Sequence, residues 1–196
     1  MNRPQKQKTI ADGKSCFDFI DQERLYRDLD IKEDTIFLVM AGGYCDYALS
    51  VATRIGCQGR IFAFDMLEMG IDRLIDEIVA RGITYIYPGF VDLCSLPLGN
   101  GTIDICLMAT VFHDLVPQGT DQSVLREVKR VLKPEGVLAV VEFKKISGHP
   151  GPPLNMRISP AELDETLRLY GFTPAKNREI ELGAYNYLSL YHINNG

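Results

Sequence analysis

The run from Thr35 to Asp65, TIFLVMAGGYCDYALSVATRIGCQGRIFAFD, constrains this chain more than any other. It joins a buried strand, a glycine turn, a helix and a second strand that ends in an acid. Thr35 to Met40 is short and almost entirely apolar and stops just before Gly42 and Gly43, as a parallel strand covered on both faces does. Ala48, Leu49, Ala52 and Ile55 then recur at helical spacing, and Gly56 closes the helix. Arg60 to Phe64 forms the next strand, with Asp65 at its carboxyl end, 22 positions after Gly43. That separation suits a carboxylate that accepts hydrogen bonds from the two ribose hydroxyls of an adenosine-containing ligand.

The 196 residues, 46% hydrophobic and 24% charged, are enough for one full-sized core, so a single domain over residues 11–196 is expected behind a polar tail at 1–10. The net charge of −5, with no long lysine or arginine cluster, argues against a nucleic-acid substrate. Cys16, Cys45, Cys57, Cys94 and Cys106 are odd in number and scattered, and the chain has only three histidines. Free thiols in a reducing compartment are therefore expected, and no metal site. No apolar run reaches membrane-spanning length, and the start MNRPQKQK leads into no apolar signal segment. A cytoplasmic protein that does not enter a membrane is expected.

Residues 11–34 place Phe17, Phe19, Ile20, Leu25, Tyr26, Leu29 and Ile31 on an apolar face, and predict one or two short helices that cover the sheet edge or roof a pocket above the glycine turn. Met66 to Arg81 reads as a helix whose stripe of Met69, Leu74, Ile75, Ile78 and Val79 belongs to the core, with Gly82 as its stop. Thr84 to Tyr87 makes a third strand, broken by Pro88 and Gly89, and Ile103 to Met108 a fourth. Between them Asp92 follows a strand end, and Pro97, Gly99, Asn100 and Gly101 mark a turn. After ATVFHDL comes an amphipathic helix, Gln122 to Leu132, with Val124, Leu125, Val128, Val131 and Leu132 inward. Pro134 and Gly136 turn the chain into a fifth strand, Val137 to Phe143. Residues 144–160 hold Pro150, Pro152, Pro153 and Pro160 with Gly148 and Gly151, and read as a long loop of the kind that often serves as a lid. Ser159 and Glu162 fit a capping box for a helix that buries Leu163, Leu167 and Leu169. Phe172 to Lys176 and Ala184 to Ile193 close the chain as an antiparallel pair.

A nicotinamide fingerprint needs Gly-x-Gly-x-x-Gly, which AGGYCDY does not supply. Read from Val39, the turn instead resembles the Asp-x-Gly-x-Gly-x-Gly turn of the class I S-adenosylmethionine-dependent methyltransferases, with Val39, Ala41, Gly43 and Cys45 at its four fixed positions and only Gly43 matching. Three further blocks resemble the same family in order and spacing: VDLCSLPLGNGTID, ICLMATVFHDL and LREVKRVLKPEGVLAVVEF. The resemblance covers residues 30 to 192 and is strongest to the small-molecule branch that includes the ubiquinone and menaquinone methyltransferases. It implies an α/β, Rossmann-like class I methyltransferase fold, with a mostly parallel seven-stranded sheet, an antiparallel terminal strand and helices on both faces. It implies S-adenosylmethionine as cofactor, S-adenosylhomocysteine as product and a small-molecule substrate. Asp65 would take the ribose hydroxyls, Asp92 the adenine amino group, Leu93 a place beside the ring and Met66 the adenine face. Ala41, Gly42 and Gly43 would lie under the methionine part, and Ala109 would line the same cleft. Val39 removes the acid of the family's first motif, and Ala41 and Cys45 add side chains where glycine permits close approach.

Methyl transfer is an in-line displacement, so alignment and exclusion of water matter more than a dedicated base. If the acceptor must lose a proton, His113 is the candidate, since it follows the fourth strand at the carboxyl edge of the sheet beside Asp114. His149 lies in the proline-rich loop and reaches a pocket only if that loop closes. Cys94 and Cys106 read as two buried free thiols. The alternative to an enzyme is a methyltransferase-like protein with weak or lost cofactor binding that acts as a binding or regulatory module.

Overall fold

A computed structural model describes residues 16–40, 46–148, 150–176 and 179–194. The tail at 1–10, the turn residues Ala41, Gly42, Gly43 and Cys45, and His149 lie outside the described residues. The strands are β1 (Ile36–Met40), β2 (Arg60–Asp65), β3 (Ile86–Phe90), β4 (Ile103–Ala109), β5 (Leu132–Phe143), β6 (Phe172–Pro174), β7 (Ile180–Glu181) and β8 (Asn186–Ile193). They form one sheet in the order β3-β2-β1-β4-β5-β8-β6, with the two-residue β7 also paired to β8. The neighbours from β3 to β5 pair in parallel, whereas β8 runs antiparallel to β5, β6 and β7. The sheet therefore has the seven expected strands and a short eighth. Its strand order reverses between β1 and β4, and in open α/β sheets ligands bind at such a switch point, outside the carboxyl ends of the strands.

The helices α1 (Gln22–Leu29), α2 (Asp46–Ile55), α3 (Glu68–Arg81), α4 (Phe112–Gln118), α5 (Asp121–Val131) and α6 (Pro160–Leu169) cover both faces. Because strand side chains alternate, β1 sends Phe37 and Val39 to one layer, with Leu25, Tyr47, Val51, Ile55 and Leu74. Leu38 and Met40 enter the other layer, with Phe112, Leu125, Val128, Leu163 and Leu167.

Several expectations are corrected by this packing. In α3 the buried positions are Gly70, Ile71 and Leu74, with Ile78 half-buried, while Met69, Ile75 and Val79 are exposed. The apolar stripe lies one step round the helix from the one read off the sequence, since Ile75 and Val79 sit 100° away from Leu74 and Ile78. Leu169 is likewise exposed, two positions past Leu167 and on the wrong side of α6. Pro88 and Gly89 lie within β3 instead of ending it, because β3 is the sheet's edge strand and a proline there withholds no ladder donor. Pro134 and Gly136 lie inside β5, which begins at Leu132 and takes up the irregularity as a register shift between Ile103 and Ile105. Cys106 is buried as expected, but Cys94 is only half-buried.

The loop at 144–157 is built around one side chain. Arg157 is buried, and a guanidinium carries five N–H donors. All five are used: Nε donates to Pro152 O (2.9 Å), Nη1 to Lys144 O (3.2 Å) and Ile146 O (2.7 Å), and Nη2 to Gly148 O (2.7 Å) and Pro150 O (2.9 Å). Lys or Met cannot reproduce this fork. Arg157→Met is expected to lower stability by about 2 kcal/mol and to open the loop to limited proteolysis, read from the denaturation midpoint and the first cleavage site.

Candidate active site

Asp65 ends β2 at the carboxyl edge of the sheet, half-buried, with Oδ1 accepting from Leu67 N at 2.9 Å. Burial pushes its carboxyl up from 3.8 to about 6, against hydrogen bonds from the Leu67 and Met66 backbone that lower it. A carboxylate short of water and held only by amide donors fits a pair of ligand hydroxyls. The folded-state pKa lies above the unfolded one, so this group's favourable contribution is complete below 3.8 and lost as pH rises through about 6. Asp65→Asn is therefore expected to stabilise the ligand-free protein at neutral pH by about 1–2 kcal/mol, measured as a gain in Tm that vanishes in acid.

Asp92 is exposed just beyond β3 and accepts from Cys94 N through Oδ1 at 2.9 Å, an Asx turn that aims the acid outward. Leu93 beside it is fully buried, and Met66 is 47% exposed next to Asp65. Two residues unremarked in the sequence hold this loop. Glu127 on α5 accepts from Leu96 N at 2.7 Å, and Arg130 donates to Leu96 O at 3.0 Å, Leu98 O at 2.7 Å and Asn100 Oδ1 at 2.9 Å. Their positions three apart on a helix let the two side chains pair, at 2.7 Å, while both face the loop.

On the other side of the switch point, Ala109 ends β4 and is buried. Thr110 follows with φ of 52°, a left-handed conformation rare for a β-branched residue, while its N–H donates to Val141 O at 2.7 Å. The 3-10 turn Cys16–Phe19 reaches this end of β4 through Cys16, which meets Thr110. Cys16 Sγ lies 2.9 Å from Tyr47 Oη and also bonds the Thr110 side chain, and the Phe17 ring meets Tyr47 edge-on at 4.9 Å. Burial pushes the Cys16 thiol up to about 11, so it is a neutral wall.

His113 is on the first turn of α4, buried, three positions after Thr110. Its Nδ1 is 2.8 Å from Glu142 Oε2, and its backbone N–H donates to Glu142 Oε1 at 3.2 Å. Burial lowers the His113 pKa, but the hydrogen bond and charge of Glu142, with Asp114, outweigh it, and the net shift is upward. Glu142 is fully buried near the end of β5. Sequence reasoning did not single it out, although a lone charge in the apolar run Val137 to Phe143 was a usable signal. The strand order puts β2, with Asp65, three strand spacings from β5, with Glu142, or about 14 Å. One end of the edge thus carries the carboxylates Asp65 and Asp92, and the other the buried His113–Glu142 pair. The opposite edge carries an open depression of about 320 Å³, where Lys133 pairs with Asp104 at 2.6 Å and Lys32 with Asp30 at 3.4 Å.

A model of the ubiE/COQ5 methyltransferase family matches residues 20–151. The chain is 32% identical over 125 residues to the ubiquinone/menaquinone biosynthesis C-methyltransferase UbiE of Ectopseudomonas mendocina (strain ymp), covering 62% of this chain and 45% of that protein. It is 35% identical over 113 residues to the protein of the same name from Cellvibrio japonicus (strain Ueda107), covering 55% and 43%. It thus spans less than half the length of these curated relatives. The crystal structure of a SAM-dependent methyltransferase from Aquifex aeolicus superposes with a TM-score of 0.83 at 25% identity, over 91% of this chain and 92% of that one. The fold is that of the class I methyltransferases.

Proposed function

We infer that this chain, which belongs to the ubiE/COQ5 methyltransferase family, transfers a methyl group from S-adenosylmethionine to a small-molecule acceptor. The observation that carries the reading is the pairing of two unlike ends on one sheet edge: Asp65, raised to about 6 and held by amides, and the buried His113–Glu142 pair across the switch point. When bound, the cofactor supplies a methyl group on a cationic sulfonium, whose bond to sulfur breaks with its electron pair as the acceptor bonds to carbon. Asp65 would accept the ribose hydroxyls and Asp92 the adenine amino group, and Leu93 and Met66 would flank the ring. From the family resemblance, Ala41, Gly42 and Gly43 would hold the methionine part, and Ala109 would line the cleft.

The acceptor sits toward β4 and β5, beneath Cys16 and Phe17. His113 receives the acceptor's proton at Nε2. That nitrogen is 3.8 Å from Asp114 Oδ1, beyond hydrogen-bond distance, so Asp114 does not claim it. The relatives' names point to an acceptor of ubiquinone or menaquinone biosynthesis, methylated at carbon. Among the described residues no helix is long and apolar enough to cross a membrane; we place the protein in the cytoplasm. The test is transfer of a labelled methyl group to a panel of small acceptors, quinols first. Label in a small molecule supports the reading. Tight cofactor binding with no transfer to any of them favours a binding module.

A further inference from the structure

We propose that Glu142 is a positioning residue: it clamps His113 by both backbone and ring, holds the ring proton on Nδ1, and so presents Nε2 as the free lone pair of the site. The inference rests on the reading of His113 as the group that takes the acceptor's proton.

The geometry is bidentate onto a single residue. Oε1 takes the His113 backbone N–H at 3.2 Å and Oε2 faces Nδ1 at 2.8 Å, so neither the start of α4 nor the ring can turn without breaking a bond. A carboxylate only accepts, which obliges the ring nitrogen facing it to carry the proton. The neutral imidazole then has its lone pair on Nε2, and the tautomer is set by the partner of the other nitrogen. Burying a carboxylate is expensive, and an apolar residue of similar volume on β5 would serve packing better. Glu142 is nevertheless buried, and both of its carboxylate oxygens contact one residue, His113.

The charged and titratable groups that bear on the pair come from every element packed around it. Asp114 on α4 adds to the attraction for a proton on His113, and Arg157, before α6, opposes it. The Cys16 thiol, from the N-terminal 3-10 turn, and the Tyr187 hydroxyl, on β8, both feel the Glu142 charge. Arg157 cannot swing across to pair with Glu142 without giving up carbonyls of its own loop, since all five of its donors are committed. Glu142 therefore remains His113's.

The test needs no acceptor. Protein labelled with nitrogen-15 histidine has three rings to assign, His113, His149 and His192, and multiple-bond proton–nitrogen spectra in mild alkali report the tautomer of each. The expected result is the Nδ1–H tautomer at His113. The Nε2–H tautomer overturns the proposal, and this readout uses the wild-type chain alone. In Glu142→Gln, which keeps the shape and removes the charge, the His113 titration midpoint is expected to fall by about one unit. An unchanged midpoint in a folded Glu142→Gln protein overturns the proposal. Asp114→Asn, which leaves the clamp intact, is expected to keep the Nδ1–H tautomer. Failure of the base reading shows differently: His113→Asn would transfer methyl groups at the wild-type rate whatever the tautomer.

Discussion

His113→Asn is expected to slow methyl transfer by about 10²–10⁴-fold, the usual worth of a positioned acid–base group, while leaving cofactor affinity unchanged. Asparagine can still donate an amide N–H to Glu142 in place of Nδ1–H, so the start of α4 should keep its geometry. What it lacks is a basic nitrogen in the place of Nε2. Because His113 and Asp65 stand on opposite sides of the switch point, the loss falls on turnover and not on binding of the cofactor. The pH profile carries the same information. A base must be unprotonated to act, and the His113 pKa is raised, so the wild-type rate should climb with pH through a midpoint above the ordinary 6.5. In His113→Asn that limb disappears. Single-turnover rates across pH on both proteins check the size of the loss and its origin.

Asp65→Ala is expected to weaken binding of S-adenosylmethionine by about 1.5–3 kcal/mol, the range for hydrogen bonds to a charged group, or roughly ten- to more than a hundred-fold in Kd. The sign of the pH dependence follows from the carboxyl. Ribose hydroxyls donate to the ionised form, and in the free protein that form is depleted as pH falls through about 6. Wild-type affinity should therefore drop in mild acid, and the Asp65→Ala variant should lose most of that dependence. The opposite expectation for stability, with Asp65→Asn more stable at neutral pH, separates the two roles. A residue kept for packing would not be both destabilising to the free protein and needed for the ligand.

The parallel sheet was legible because its inner strands carry short, mostly apolar runs, as strands covered on both faces must. The same property hid Glu142. When both faces of β5 are buried, in and out cannot be told from alternation, and which neighbour a charge meets depends on α4, a helix whose seven residues end in Pro117-Gln118 and were too short to register as periodic. Asp65 and His113 could be singled out because their positions at strand ends are local facts. Arg157 and the Glu127–Arg130 clamp could not, since each is defined by backbone groups 5 to 34 residues away. Pro88 and Pro134 misled for a related reason. A proline breaks a strand only where its missing N–H is needed, and that is a property of the neighbouring strand.

Calorimetric titration of the wild-type chain with S-adenosylmethionine and with S-adenosylhomocysteine at neutral pH tests the central claim most directly. The account predicts saturable one-to-one binding in the micromolar range for both ligands, weakening as pH falls through the Asp65 midpoint. No binding at millimolar ligand would contradict it, and Asp65 would then be a strained acid at the end of a strand with no ligand to hold.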